Sequence, residues 1–441
     1  MAGRVYVSFL GTSNYVEFIY NIDGKPSSPT RFIQEALVER YCKDWGKDDA
    51  ILIFATKNAK RKNWKDNGHD GETNDLYNQG LENSFKGMTL NPDLRIDCIK
   101  IPEVESQEDI WELFNIVNDE IKSYKEIYFD ITHAYRFIPM FAMSLFNYSQ
   151  FVNGTNVVSV KYAMLNYSEE QLKEIRKDVK LENRDVQEVL DLTSLIDLQD
   201  YTQIASDLKT YGRLDSFATS VNESESTLSS EIKKFDEYIQ TNNLGKLRDG
   251  EYVKNILYCL DNTIESLSPM TNIKQEIKSL FDKYGFVETK SYRNVIAAIN
   301  WAKEYEMLPQ SYTLLEELMI SIVVDSIKDL DKNPYKQSSD LFKFREFVGA
   351  LLGLDYDLLT DYDQLKDGSE VKKNFSFIAS IFSQRSWIKD LKTPYKHISA
   401  RRNNLNHANG KHTYRNLLSV FESEYSQCIE IINNNTTFLL S

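Results

Sequence analysis

The sequence predicts an α/β domain built on a mostly parallel sheet, followed by an all-helical domain, and three observations carry that prediction. Short β-branched and aromatic runs at 4–10 (RVYVSFL) and 50–55 (AILIFA) each end in small or polar residues, as buried parallel strands do. Strand-like runs at 94–101, 126–131 and 157–165 alternate with helix-like stretches at about 29–43, 106–123 and 137–151, which is the βαβ pattern. From about residue 166 the text turns charged and helical, and from about 225 nearly everything has helical spacing. In 413–432, for example, Tyr414, Leu417, Leu418, Phe421, Tyr425, Cys428, Ile429 and Ile432 fall on one stripe. The expected organisation is a first domain over 1–190, a connector over 191–224 that reads as a helix pair, and a helical domain over 225–441, with few strands after 166.

Bulk properties bound the function. A chain of 441 residues exceeds one ordinary core, and 41% hydrophobic residues with 26 Tyr and 23 Phe suit an ordered chain. Cys42, Cys98, Cys259 and Cys428 form no CxxC pair, so they read as reduced structural thiols, and no metal is expected. The N-terminus lacks a basic region leading into an apolar segment, and no run of about 18 apolar residues occurs, so a cytoplasmic protein without membrane contact is expected. The net charge of −14 repels polyphosphates at long range. A local exception is the basic run Arg385, Lys389, Lys392, Lys396, Arg401 and Arg402, opposed only by Asp390.

Two loops lie where parallel sheets bind ligands, at the carboxyl ends of strands. Gly11-Thr12-Ser13-Asn14-Tyr15 follows the first strand and offers small residues and hydroxyls that let backbone amides approach a phosphate or ribose. Asp130, Thr132, His133 and Arg136 crowd a second strand end just before an apolar helix, and burying that set without a ligand is costly. In the helical half, Arg402, Asn403 and His407 lie on a helix that Gly410 could end, with Asn403 one turn before His407. RNA carries its own nucleophile in the 2′-hydroxyl, so a His that moves protons and an Arg that stabilises phosphorane charge suffice without metal. His69 lies among Gly, Asn and Asp and reads as an exposed loop residue, while His397 and His412 flank the basic motif as RNA-phosphate contacts or solvated structural residues.

The GTSNY turn, the DITHAYRFIP segment, the DLTSLIDLQDYTQIASDLKTYGRL connector and RNNLNH, in that order, resemble the type III CRISPR-associated CARF-HEPN ribonucleases, specifically the group marked by a DxTHG motif. The resemblance implies a Rossmann-like CARF domain that dimerises and binds a cyclic oligoadenylate. Gly11, Thr12, Ser13 and Asn14 match its first binding motif and Thr132, His133 and Arg136 its second, with Asp130 and Thr56 at neighbouring strand ends. Ala134 stands where the family has Gly, which narrows the pocket floor. The helical half resembles a HEPN ribonuclease, with Arg402, Asn403 and His407 matching R-N-x-x-x-H and two copies forming one composite site.

What the resemblance implies for function is an endoribonuclease that cuts single-stranded RNA without metal or cofactor, leaving 2′,3′-cyclic phosphate ends, in antiviral defence. Its activator would be a cyclic oligoadenylate, the tetra-adenylate favoured over the hexa-adenylate, and its state a homodimer or higher oligomer. Two rivals remain at this stage: a sensor that degrades its own activator through Thr132 and His133, and a ligand-regulated nucleic-acid-binding protein that does not cut. A nicotinamide-cofactor dehydrogenase is disfavoured, because no GxGxxG follows the first strand.

Overall fold

In a computed structural model the described residues are 3–69, 79–133, 137–164, 167, 170–172, 186–220, 226–262, 269–336, 341–354, 365–366, 368–407 and 413–436. The chain divides into two compact units, Met1–Gln199 and Asp200–Ser441.

The first unit holds β1 (Arg4–Leu10), β2 (Ile19–Ile22), β3 (Lys25–Pro26), β4 (Ala50–Ala55), β5 (Arg95–Lys100), β6 (Glu126–Asp130), β7 (Asn156–Ala163) and β8 (Val186–Asp191) in one sheet, ordered β3-β2-β8-β7-β6-β1-β4-β5. The β1–β4, β1–β6, β4–β5 and β6–β7 pairs are parallel, as expected, and β7–β8 is antiparallel. Every residue of β4 is buried because both sheet faces are covered. The strand period of two sorts them: Ile51 and Ile53 join α1 (Ile33–Tyr41) on one face, while Leu52 and Phe54 join α4 (Gln107–Ile121) and α5 (Ile138–Asn153) on the other. Ser106 and Asp109 start α4 with a reciprocal capping box, and Gly154 ends α5 at φ 67°.

Between β4 and β5 lie α2 (Lys57–Ala59), which runs into a π-helical turn at Lys60–Trp64, and α3 (Leu81–Gly87). One described strand follows residue 166: β8 returns to pair with β7 and β2. Its alternating VQEVLD text buries only Gln187 and Val189, a one-sided strand that gives no continuous apolar run. The connector span 191–224 holds one long helix, α6 (Ser194–Tyr211), and a short helix at Asp215–Ser220.

The second unit is helical among its described residues: α7 (Asp215–Ser220), α8 (Ser226–Gln240), α9 (Leu244–Asp249), α10 (Glu251–Asp261), α11 (Pro269–Tyr284), α12 (Tyr292–Glu304), α13 (Leu308–Ile327), α14 (Leu341–Gly353), α15 (Glu370–Lys373), α16 (Phe375–Gln384), α17 (Lys392–Asn406) and α18 (Tyr414–Asn435). Helix α13 is its axis, with Leu314, Leu315, Leu318, Met319, Ile322 and Val323 fully buried; a helix apolar all round belongs at the centre of a core. On α18, Leu417, Phe421, Cys428 and Ile432 are buried, Leu418, Tyr425 and Ile429 pack at the rim, and Tyr414 is exposed.

Candidate functional site

The strand-end loops of the first unit meet at a cavity of about 480 Å³ lined by Thr12, Ser13, Asn14, Tyr15, Thr132 and His133 and closed by Phe18, Arg31, Lys62, Tyr162 and Tyr167. Its floor is built from backbone constraints. The Gly11 N–H donates to the Tyr15 hydroxyl at 2.8 Å, and a Cβ on Gly11 would stand 2.8 Å from that oxygen and 3.1 Å from the His133 carbonyl oxygen. Glycine is therefore required where the two loops touch. The Tyr15 ring stacks on His133 with centroids 4.0 Å apart and meets Phe32 edge-on.

Asn63, on the π-helical turn, ties down the first loop by donating to the carbonyls of Gly11 and Ser13, each at 2.9 Å, and its own Oδ1 lies 3.1 Å from His69 Nε2. This corrects the reading of His69: at 1% exposure it is a buried brace behind the site. Arg31 reaches the Asn14 Oδ1 at 3.4 Å, at the cavity wall.

Asp130 and Thr132 do different work from His133. The buried Asp130 carboxylate accepts from Ser8 Oγ at 2.8 Å and from the Thr132 N–H at 2.9 Å, and Gln34 donates to Ser8 Oγ at 3.1 Å. Burial raises the Asp130 pKa, with hydrogen bonds from Thr132, Ser8 and Tyr6 working against it. Asp130 is not among the cavity-lining residues and fixes the loop from beneath. Thr132 Oγ1 accepts from the Ala163 N–H at 2.9 Å, which ties the loop to β7.

His133 Nε2 is buried and has no hydrogen-bond partner among the described residues, while burial pulls its pKa down to about 3. The imidazole is neutral at working pH, and His133 is among the cavity-lining residues. Gly11 and Thr56 are likewise absent from the lining: Gly11 shapes the loop, and Thr56 Oγ1 caps α2 by accepting from the Ala59 N–H at 3.3 Å. Arg136 lies outside the described residues, as do Ala134, Gly410 and His412.

The helical motif has a different geometry. Arg402 on α17 donates from Nε to Oε2 of Glu316 at 2.6 Å, and this carboxylate is only 3% exposed within the apolar helix α13. Its partner chiefly raises the Arg402 pKa, so the guanidinium is a fixed charge. The next residue of α13, Glu317, pairs with Arg345, which also donates to Ser321 Oγ at 2.7 Å one turn further on.

His407 closes α17, its N–H donating to the Asn403 carbonyl at 3.0 Å, and both side chains are exposed. Five residues at about 100° each set Arg402 and His407 roughly 140° apart around the helix. One chain thus groups Asn403 with His407 but not with Arg402. His397 pairs with Glu424 of α18, Nδ1 to Oε1 at 2.7 Å. Tyr15, Asn63, Arg31, Lys62 and Glu316 were not singled out in the sequence, and only Tyr15, inside the GTSNY turn, carried a local signal.

A parallel sheet whose strand-end loops close an aromatic and polar cavity defines an α/β domain with a candidate ligand site. Residues 5–169 match the family described as CRISPR system endoribonuclease Csx1, CARF domain. The chain is 21% identical over 287 residues to the CRISPR-associated protein MJ1674 of Methanocaldococcus jannaschii, covering 64% of this chain and 43% of that protein, so it spans less than half the relative's length. Enterococcus italicus Csm6 bound to cyclic hexa-2′-fluoro-hexa-dAMP is similar over 98% of this chain and 94% of its own, at 10% identity and a TM-score of 0.45. The matched family model lies within the sheet unit and covers under half of the chain. Among the described residues no helix is long and apolar enough to cross a membrane.

Proposed function

We propose that this chain is a cyclic-oligoadenylate-activated endoribonuclease of type III CRISPR antiviral defence, acting in the cytoplasm as a homodimer. The carrying observation is the cavity at the carboxyl ends of β1 and β6, inside the matched CARF domain, with His133 in its lining. Tyr15, Tyr162 and Tyr167 suit adenine stacking, Arg31 and Lys62 suit phosphates, and Thr12 and Ser13 suit ribose hydroxyls. The sensor occupies 1–190, the connector 191–224 and the catalytic domain 225–441.

In the reaction the RNA 2′-oxygen attacks the adjacent phosphorus and the bond to the 5′-oxygen breaks, leaving a 2′,3′-cyclic phosphate and a 5′-hydroxyl. The proton lost from the 2′-hydroxyl goes to a base, and the 5′-oxygen gains one from an acid. His407 from each of two copies supplies these roles, Arg402 stabilises the phosphorane charge, and Asn403 positions the group. No metal is required by this balance. The angular split within one chain is the reason to invoke two copies, and activator binding shifts the equilibrium that brings them into register.

A reading in which the sensor degrades its own activator is not adopted, because a histidine with a pKa near 3 is too weak a base at neutral pH. Calorimetric titration with cyclic tetra-adenylate, cyclic hexa-adenylate and linear tetra-adenylate tests the sensor. Saturable binding of a cyclic ring, tightest for four members, is expected; binding of none overturns the proposal.

A further inference from the structure

A second cavity, of about 500 Å³, lies on the other side of the α2 and π-helical segment and has the opposite character to the sensor cavity. Lys57, Lys60, Arg61, Lys65 and Lys100 line it with Asp66, Asn67 and Gly68, and among the described residues the lining has no aromatic side chain. Five cations converge here on a chain whose net charge is −14.

The fold accounts for that convergence. Lys57 follows the end of β4 and Lys100 ends β5, so the cavity sits at strand carboxyl ends, where parallel sheets place ligands. The π turn at Lys60–Trp64 puts Lys60 and Arg61 in this cavity and Lys62 in the sensor cavity, making the segment a shared wall; π turns recur at functional sites.

The opposing charges of Asp66 and Glu82, among the described residues, are accounted for. Asp66 is held by the Gly80 N–H at 2.8 Å and faces Asn83, and Glu82 accepts from Lys65 at 2.5 Å with Lys86 at 3.9 Å. Lys60 Nζ donates to the Cys98 carbonyl at 3.2 Å, and Arg61 to Asn58. Clustered cations without a stacking surface attract phosphates and cannot read bases.

We propose that this cavity is a second anion site that takes a chain of phosphates, recognised by charge and not by base. The source is either the backbone of a single-stranded nucleic acid or free polyphosphate, which share that chemistry. Fluorescence anisotropy on the full-length protein, with a labelled single-stranded DNA that lacks the 2′-nucleophile, its abasic counterpart, and inorganic tripolyphosphate as competitor, tests it.

The variant is Lys57→Glu with Lys100→Glu, both exposed positions outside the sensor cavity. Both strands should bind equally, the variant should lose about tenfold or more in affinity, and its salt slope should drop by about 2. Cyclic tetra-adenylate binding and the melting temperature should stay at wild-type values, which separates this site from the sensor. Displacement by tripolyphosphate identifies free polyphosphate as a competent ligand; retention of the strand identifies nucleic-acid backbone. Equal affinity of wild type and variant for every probe, or binding that needs bases, would overturn the proposal.

Discussion

The sensor loops and the helical motif hold their polar residues in opposite ways. In the sheet unit every braced group is locked within one chain: Gly11 under the Tyr15 hydroxyl, Asn63 across two carbonyls, and Asp130 between Ser8 and the Thr132 N–H. In the helical unit Arg402 is locked to buried Glu316, whereas Asn403 and His407 are exposed at the end of α17. Under the proposed function, the preformed cavity takes the activator and the motif split around a helix becomes a reaction site only with a second copy, which would keep the enzyme inactive until its ligand arrives.

The largest effect should come from breaking the preformed side. Gly11→Val forces a side chain against the Tyr15 oxygen and the His133 carbonyl. Overpacking of about 1–3 kcal/mol translates to a roughly 5- to 150-fold loss of cyclic tetra-adenylate affinity by calorimetry. Cleavage at saturating activator should recover, since the helical unit is untouched. A loop that relaxes without loss of affinity would show that this packing does not shape the site.

A comparable effect is expected on the split side. Glu316→Gln keeps an acceptor for Arg402 but removes its charge, and a weakened charge-assisted bond costs about 1.5–3 kcal/mol. Activated RNA cleavage should fall about tenfold or more in kcat, with KM and activator affinity unchanged and partial rescue by Glu316→Asp. Unchanged kcat would mean that Glu316 merely fills the core.

Much of this architecture was legible in the sequence, and the unread parts share one physical cause. The strand runs, the loops at Gly11 and Thr132, and the Arg402–His407 spacing are local patterns, and local patterns survive in text. Glu316 is 86 residues from Arg402, and Asn63 is 52 from Gly11, so these partners exist only after folding. His69 looked exposed because its neighbours are polar, yet it is buried beside Asn63. The second cavity was hidden for the same reason, with Lys100 brought to Lys57 by the β4–β5 pairing. Strand β8 escaped because a one-sided strand alternates without an apolar run.

A further predicted effect concerns stability and separates the units by pH. Burial raises the Asp236 carboxyl to about 7, above its ordinary value near 4, while the Leu214 N–H donates to it at 3.0 Å. The folded state therefore holds this proton more tightly than the unfolded state. The contribution weakens the helical unit as pH rises from about 4 to about 7 and is constant above, with a slope of at most about 1.4 kcal/mol per pH unit. Denaturant unfolding of wild type and Asp236→Asn at pH 5, 6, 7 and 8 should show their difference changing up to pH 7 and flat beyond. A difference independent of pH would contradict the assignment.

The most direct test of the central claim is activator binding and RNA cleavage measured side by side, in chelator, on wild type and His407→Ala. The account predicts wild-type affinity for cyclic tetra-adenylate in both proteins, activator-dependent cutting to 2′,3′-cyclic phosphate ends in the wild type, and none in the variant. Cleavage that persists in His407→Ala, or a wild type that binds the ring and never cuts, would contradict it.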